Sequence, residues 1–291
     1  MTKIVCLNPY TESPCGEYDF DTTRSLEAKL AATEKRLLHW RTVSLQERLD
    51  HVAAIGKMLS RSRDSLATQM TTEMGKPISQ AKAELDKCVN LCEHYEQNGE
   101  TYRKGREILL EQGSRAKVVA QPLGHILGIM PWNYPVWQVL RLFIPNLVCG
   151  NVVSLKHAPN VTGTAFQLAA LIREAGLPEG VYTDLYLDNA STEALIGDHR
   201  IRGVSLTGST GAGRAVGAAA GKGLKKAVLE LGGSDAYLVC EDADPALAAK
   251  ACVTSRLINN GQSCIAAKRW IVCDKVYDAF WQQVQIQMDQ W

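Results

Sequence analysis

The chain has 291 residues, 46% hydrophobic and 22% charged, an ordinary globular composition with room for one large domain or two smaller ones. Its 32 basic and 31 acidic residues leave a formal charge of +1, so no field favours nucleic acid or an anionic membrane, and small molecules or other subunits are the expected partners. No run approaches the roughly 18 apolar residues of a spanning helix and the opening residues hold no signal-peptide core, which reads as a cytoplasmic protein. Nine cysteines, an odd number scattered from Cys6 to Cys273 without a Cys-x-x-Cys pair, argue against a disulfide framework and against a zinc site, so no metal is expected. Cys88 and Cys92, four apart, read as sharing a buried helix face.

The first third reads as helical. Ser44 and Glu47 in "SLQERLDHVAAIGKML" are spaced as a capping box, followed by Leu45, Leu49, Val52, Ile55 and Leu59 at helical intervals. A second helix ends in "TEMGKPIS", where Gly75 and Pro77 supply stop signals, and Ser79 is placed to open a long polar helix. From about residue 107 the period changes, and "EILLEQGSRAKVVAQPLG" predicts two strands around a turn at Gln112-Gly113 with one apolar face.

Short β-rich runs then alternate with helical segments: "HILGIM", 136–148, "NVVSLK", 163–175, "VYTDLYL", 191–197, "IRGVSLTG", 212–221 and "KKAVLEL". Strict alternation implies βαβ units and a parallel sheet with helices on both faces, an α/β class whose ligands bind at the carboxyl ends of the strands. A boundary is expected near Gly232-Gly233, before "AYLVC" and another helix, and the final "FWQQVQIQMDQW" reads as helical.

The unusual residues collect at those strand ends. "SLTGSTGAGRAVG" puts Gly208, Gly211 and Gly213 where a strand turns into a helix, a place for phosphate or simply a tight turn; the spacing Gly-x-Gly-x-x-Gly is absent. Lys156 ends an apolar strand, as a ligand-edge cation or an ordinary solvated lysine. Glu230 precedes two glycines, an awkward place for a charge unless it faces a partly desolvated cavity suited to a general base; the other reading is a surface glutamate at a turn. Asn133 lies between Trp132 and Tyr134 and is flanked by Pro131 and Pro135, either a rigid amide for a developing oxyanion or turn chemistry. A cysteine nucleophile, an amide donor, a base and a nucleotide cradle together match covalent oxidation of an aldehyde.

In this order and spacing, "PWNYP", "LKHAP", "TGSTGAG", "LELGG" and "GQSC" resemble the aldehyde dehydrogenase superfamily, with Glu230 and Cys264 separated by 34 positions. The resemblance runs from "LNPYTE" through "EMGKP" to the last residue and is nearest to the succinate-semialdehyde dehydrogenases. It implies a Rossmann-like fold, Cys264 as nucleophile, Asn133 and the Cys264 backbone N–H as oxyanion donors, and Glu230 as activator of the hydrolytic water. It implies further that Lys156 contacts the adenosine ribose, that Gly208, Ser209, Gly213 and Leu231 belong to the cofactor site, and that Trp132 flanks the cofactor cleft. The glutamate that NAD-preferring members carry three residues after the lysine is replaced by Pro159, so either NAD or NADP is the implied cofactor. Arg141 matches an arginine that pairs with the distal carboxylate of the substrate, the alternative being a surface arginine snorkelling over its helix; the second such arginine is replaced by Ile258.

The resemblance divides the chain into 1–233, an NAD(P)-binding domain with an oligomerisation hairpin near 107–121, and 234–291, the first part of a catalytic domain that family members continue well beyond. A chain ending at Trp291 reads as truncated, with exposed sheet edges and without the usual partner of its hairpin in a homo-oligomer. A non-catalytic nucleotide-binding fragment, or a half needing a complementing chain, are the alternative readings.

Overall fold

The computed structural model describes residues 3–110 and 113–291. Two compact units divide the chain, Met1–Glu230 and Leu231–Trp291.

The first unit opens with β1 (Ile4–Leu7) paired antiparallel to β2 (Pro14–Tyr18), so the helical expectation for the first third does not hold there. Ile4 and Cys6 are buried while Val5 and Leu7 face out, a period of two, and the Asn8 side chain closes the turn by accepting from the Tyr10 N–H at 2.9 Å. The helices follow. In α1 (Thr23–Trp40) Thr22 is the cap, and in α2 (Leu45–Arg61) the Ser44 hydroxyl accepts from the Glu47 N–H at 3.2 Å, as the spacing predicts. α3 (Arg63–Met74) stops on left-handed Gly75, φ +71°. α4 (Ile78–Arg103) begins directly after Pro77, whose carbonyl accepts from Gln80 and Ala81; Ser79 is therefore inside the first turn and not its cap.

β3 (Arg106–Leu109) and β4 (Arg115–Val118) form the expected antiparallel hairpin, with Ile108 opposite Ala116. Gln112 of the predicted turn lies outside the described residues, and Gly113 takes φ +79°. No buried apolar face forms on this hairpin within the unit, where Leu109 and Val118 are exposed.

The sheet runs β7–β6–β5–β8–β9 across β5 (His125–Met130), β6 (Val152–His157), β7 (Tyr182–Leu185), β8 (Ile201–Gly208) and β9 (Lys226–Leu231). The pairs β5/β6, β6/β7 and β5/β8 are parallel. Between successive strands lie α5 (Trp137–Cys149), α6 (Thr162–Glu174), α7 (Asn189–Gly197) and α8 (Thr210–Lys222). Val139, Phe143 and Leu147 of α5, with Leu168 and Ile172 of α6, pack with α2 and α4 in one core, each such side chain contributing about 1.5–3 kcal/mol of burial. Leu195 of α7, Val216 of α8 and Leu30 of α1 pack with Leu127, Val204 and Leu206 in another. At Gly128 a side chain has no space, since a Cβ there would stand 2.6 Å from Leu142 Cδ2 and 2.8 Å from Leu155 Cδ1.

The chain winds outward from β5 through β6 to β7, then returns to the opposite flank of β5 with β8 and β9. That reversal makes the carboxyl ends of β5 and β8 a topological switch point, where open α/β sheets bind ligands.

The second unit is a βαβ element followed by a helix. β10 (Ala236–Val239) and β11 (Arg269–Val272) are parallel, α9 (Pro245–Leu257) lies between them in sequence, and α10 (Asp274–Met288) follows. Val239, Cys252, Val253, Phe280 and Val284 form its core, and the Trp270 and Phe280 rings meet edge to face at 6.0 Å. All nine cysteines are free, with Cys88 and Cys92 both buried on α4. Among the described residues no helix is long and apolar enough to cross a membrane, and no group of three metal-ligating side chains gathers.

Candidate active site

After β5 the chain turns through Pro131–Trp132–Asn133–Tyr134–Pro135 into α5, with Asn133 half-buried and Trp132 partly exposed. A carboxylate from α4 holds this turn from below. Glu84 Oε1 accepts from the backbone N–H groups of Val136 at 3.0 Å and Trp137 at 2.8 Å, filling the positive end of α5. Its other oxygen is paired with the ammonium of Lys76, and both side chains are fully buried. The same ammonium lies 3.8 Å from the centroid of the Tyr134 ring. Burial pulls the Lys76 pKa down and Glu84 opposes that pull.

At the end of β6, Lys156 is buried, its pKa lowered by desolvation against the opposing pull of Asp188. Its neighbour His157 is pushed down to about 4, chiefly by burial. The next helix is again closed by a carboxylate: Glu73 accepts from Gly163 N at 2.7 Å, Thr164 N at 2.8 Å and Thr164 Oγ1 at 2.6 Å.

The β8 end differs. Gly208 leads into exposed Ser209, whose hydroxyl accepts from Ala212 N at 3.2 Å and caps α8, while Gly213 is buried and bonds back to the Ser209 carbonyl at 2.9 Å. Buried carboxylates occupy the starts of α5 and α6, whereas α8 starts on a neutral hydroxyl. An anionic pyrophosphate is thus compatible with the α8 terminus at the switch point, with Lys156 on the neighbouring side, and these residues fit a dinucleotide.

Glu230, the penultimate residue of β9, has about half of its side chain exposed (54%), so the desolvated cavity expected around it does not form within this unit. Its partner is a residue to which sequence reasoning gave a separate role: Arg141 Nη2, on α5, lies 3.5 Å from Glu230 Oε1. Leu231, next along β9, is exposed at the edge.

Cys264 belongs to the second unit. α9 ends at Leu257, and Asn259 (φ 55°), Asn260 (φ 54°) and Gly261 (φ 75°) then take three successive left-handed conformations, which asparagine and glycine tolerate best. Gln262 donates from its backbone and its side chain to the Asn259 carbonyl, each at 3.0 Å, and Arg256 Nη1 donates to the Gly261 carbonyl at 3.3 Å. On the far side, Lys268 Nζ donates to the Cys264 carbonyl at 3.2 Å and also to the Gly233 carbonyl. The half-buried cysteine thus sits in a turn tied at both ends, and Ile258 ahead of it is exposed.

Of the residues singled out from the sequence, the first unit brings Trp132, Asn133, Arg141, Lys156, Gly208, Ser209, Gly213 and Glu230 to its carboxyl edge, and the second holds Cys264. Sequence reasoning missed Glu73, Lys76 and Glu84. "EMGKP" was visible as a motif, but nothing in a lysine between glycine and proline announces burial against a glutamate eight residues later.

The first unit thus carries a parallel sheet of the dinucleotide-binding type, and the second carries a cysteine on a left-handed turn. The profile described as "Aldehyde dehydrogenase family" matches residues 1–291, and the chain belongs to that family. It is 43% identical over 279 residues to the NAD(P)+ succinate semialdehyde dehydrogenase Sad of Escherichia coli strain K12, covering 96% of this chain and 60% of that protein. It is 40% identical over 284 residues to the NADP+ succinate-semialdehyde dehydrogenase 1 of Mycobacterium tuberculosis, covering 95% and 61%. The crystal structure of succinic semialdehyde dehydrogenase from Streptococcus pyogenes in complex with NADP+ superposes with a TM-score of 0.95 at 34% identity, over 98% of this chain and 63% of that one. The chain therefore spans about three fifths of the length of the curated relatives it matches.

Proposed function

We propose that this chain carries NAD(P)-dependent oxidation of an aldehyde to its carboxylic acid, with succinate semialdehyde as the substrate, residues 1–233 binding the dinucleotide and 234–291 forming the first part of the catalytic domain. The observation that carries the proposal is the set of Asn133, Lys156, Ser209 and Glu230 on strand ends flanking the switch point of a sheet whose α8 terminus suits a pyrophosphate. The names of the similar proteins support the substrate.

In this reading the Cys264 thiolate adds to the aldehyde carbon, forming a carbon–sulfur bond and moving the carbonyl π pair onto oxygen. The Asn133 amide donates to that oxyanion; one such donor is worth about a hundred- to a thousandfold in rate. Bound NAD(P), held by Lys156, Gly208, Ser209, Gly213 and Leu231 and flanked by Trp132, supplies the hydride acceptor. Loss of hydride from the thiohemiacetal leaves a thioester on Cys264, and Glu230 takes a proton from the water that hydrolyses it, returning the thiolate. Arg141 presents a guanidinium to the substrate's distal carboxylate, exchanging Glu230 for it. The proposal includes a cytoplasmic setting, where nine free thiols stay reduced, and a homo-oligomer built through the hairpin β3–β4.

A second reading, dinucleotide binding without turnover, draws on the cofactor edge lying almost wholly within residues 120–233. Titrating the chain with NADPH and with NADH by fluorescence, and then following reduced cofactor formed from succinate semialdehyde, separates the two. Binding with turnover supports the first, binding alone the second, and no binding overturns both.

A further inference from the structure

We propose that Lys76 and Glu84 are positioning residues for the oxyanion donor Asn133, acting through the turn that carries it. This inference rests on the reading of Asn133 given above.

Pro131 and Pro135 fix their own φ angles, Pro135 biases the preceding Tyr134 away from the helical region, and the Tyr134 carbonyl accepts from the Gln138 N–H at 3.0 Å. Lys76 and Glu84 grip the flank that follows Asn133. Tyr134, the next residue, lies with its ring 3.8 Å from the Lys76 ammonium. Val136 and Trp137, where the turn becomes helix, give their N–H groups to Glu84 at 3.0 and 2.8 Å. The two grips are one unit, because the ammonium and the carboxylate are paired with each other and both are closed off from solvent.

Stability alone is a poor reason for such a pair. Burying two charges costs several kcal/mol of desolvation per ion, and well-packed apolar residues of the same volume serve a core as well or better. What an apolar pair cannot do is bond two specific N–H groups and seat one specific ring. Oxyanion donation is sensitive to placement, with a displacement of about 1 Å costing on the order of a hundredfold in rate. Glu73 is the natural comparison. It sits three residues before Lys76, is buried, and closes α6 with the same kind of carboxylate bonds, but it grips the β6 side and not the Asn133 turn.

The test is a double-mutant cycle in the full chain with NAD(P)+ and succinate semialdehyde, using E84Q, E73Q and N133A, with side-chain amide NMR of Asn133 in the same variants. E84Q is expected to lower kcat by roughly ten- to a hundredfold with KM held within about threefold, and to lower it no further in the N133A background. E73Q is expected to multiply with N133A, since it acts elsewhere. The Asn133 side-chain amide is expected to turn from rigid to mobile in E84Q and to stay rigid in E73Q.

Equal factors for E84Q with and without N133A, or an Asn133 amide as rigid in E84Q as in the wild type, overturn the proposal. If the wild-type chain forms no reduced cofactor, the functional reading fails and the amide measurement still decides the positioning role. Should E84Q not fold, K76M/E84Q removes both charges together, and the same two outcomes apply.

Discussion

Two buried histidines make stability depend on pH below neutrality, in a window that His51, whose pKa burial also lowers, shares in part. His125 opens β5 with Nε2 2.7 Å from Ser154 Oγ, and His157 closes β6; neither is accessible, and burial pushes both down to about 4 from an ordinary 6.5. With the folded pKa below the unfolded one, the unfolded chain binds more protons between those limits, so stability is fully present above pH 6.5 and is lost as pH falls towards 4. A displacement of this size corresponds to about 3 kcal/mol per histidine and about 6 kcal/mol for the pair across that interval, comparable to the whole stability of many domains. Asp198 does not confuse the picture, because Arg200 holds its carboxylate down to about 2 and its contribution is lost only below the histidine window. Urea unfolding between pH 7 and pH 4.5, following the first unit, should show the midpoint falling steadily as acid is added. His125→Gln with His157→Gln should flatten that slope. A midpoint independent of pH over this range, or a slope unchanged by the double substitution, refutes the reasoning.

Arg141→Ala should raise the KM for succinate semialdehyde by roughly tenfold or more, matching a charge-assisted bond of about 1.5 kcal/mol or above, and leave an uncharged aldehyde far less affected; equal effects on both would remove the carboxylate role. Gly128→Ala should cost about 1–3 kcal/mol in denaturation, because the new Cβ meets Leu142 and Leu155 at 2.6 and 2.8 Å; an unchanged midpoint would show that α5 yields freely. Because Pro159 offers no carboxylate against a 2′-phosphate, both NAD and NADP should support turnover, and a large preference for NAD with negligible NADP turnover would count against that.

The alternating sheet was legible because each buried parallel strand is a short apolar run and each helix a 3.6-residue period: all six residues of β6 are buried, and its run was plain in "NVVSLK". Caps with local chemistry were legible too, as at Ser44 and Gly75. β1 and β2 were not, since strands of four and five residues hardly exceed a turn of any periodicity and their pairing is a tertiary fact. In the candidate site, residue types at strand ends pointed to Asn133, Lys156, Glu230 and Cys264. The grip on Asn133 was hidden because Glu84 sits in a polar helix where a solvated glutamate is the ordinary reading, and only folding brings it under α5, 52 residues away. The meeting of Arg141 and Glu230 was hidden for the same reason: the two come from different βα units and meet only once the sheet orders them.

In the proposed reaction Cys264 forms an acyl bond that Glu230 helps to break. Intact and peptide mass spectrometry of the Glu230→Gln chain, acid-quenched after mixing with succinate semialdehyde and NAD(P)+, measures this directly. A succinyl thioester should accumulate on the peptide carrying Cys264, together with one equivalent of reduced cofactor, and should be absent from Cys264→Ser. Reduced cofactor formed with no adduct on Cys264, or an adduct on another of the nine cysteines, would contradict it.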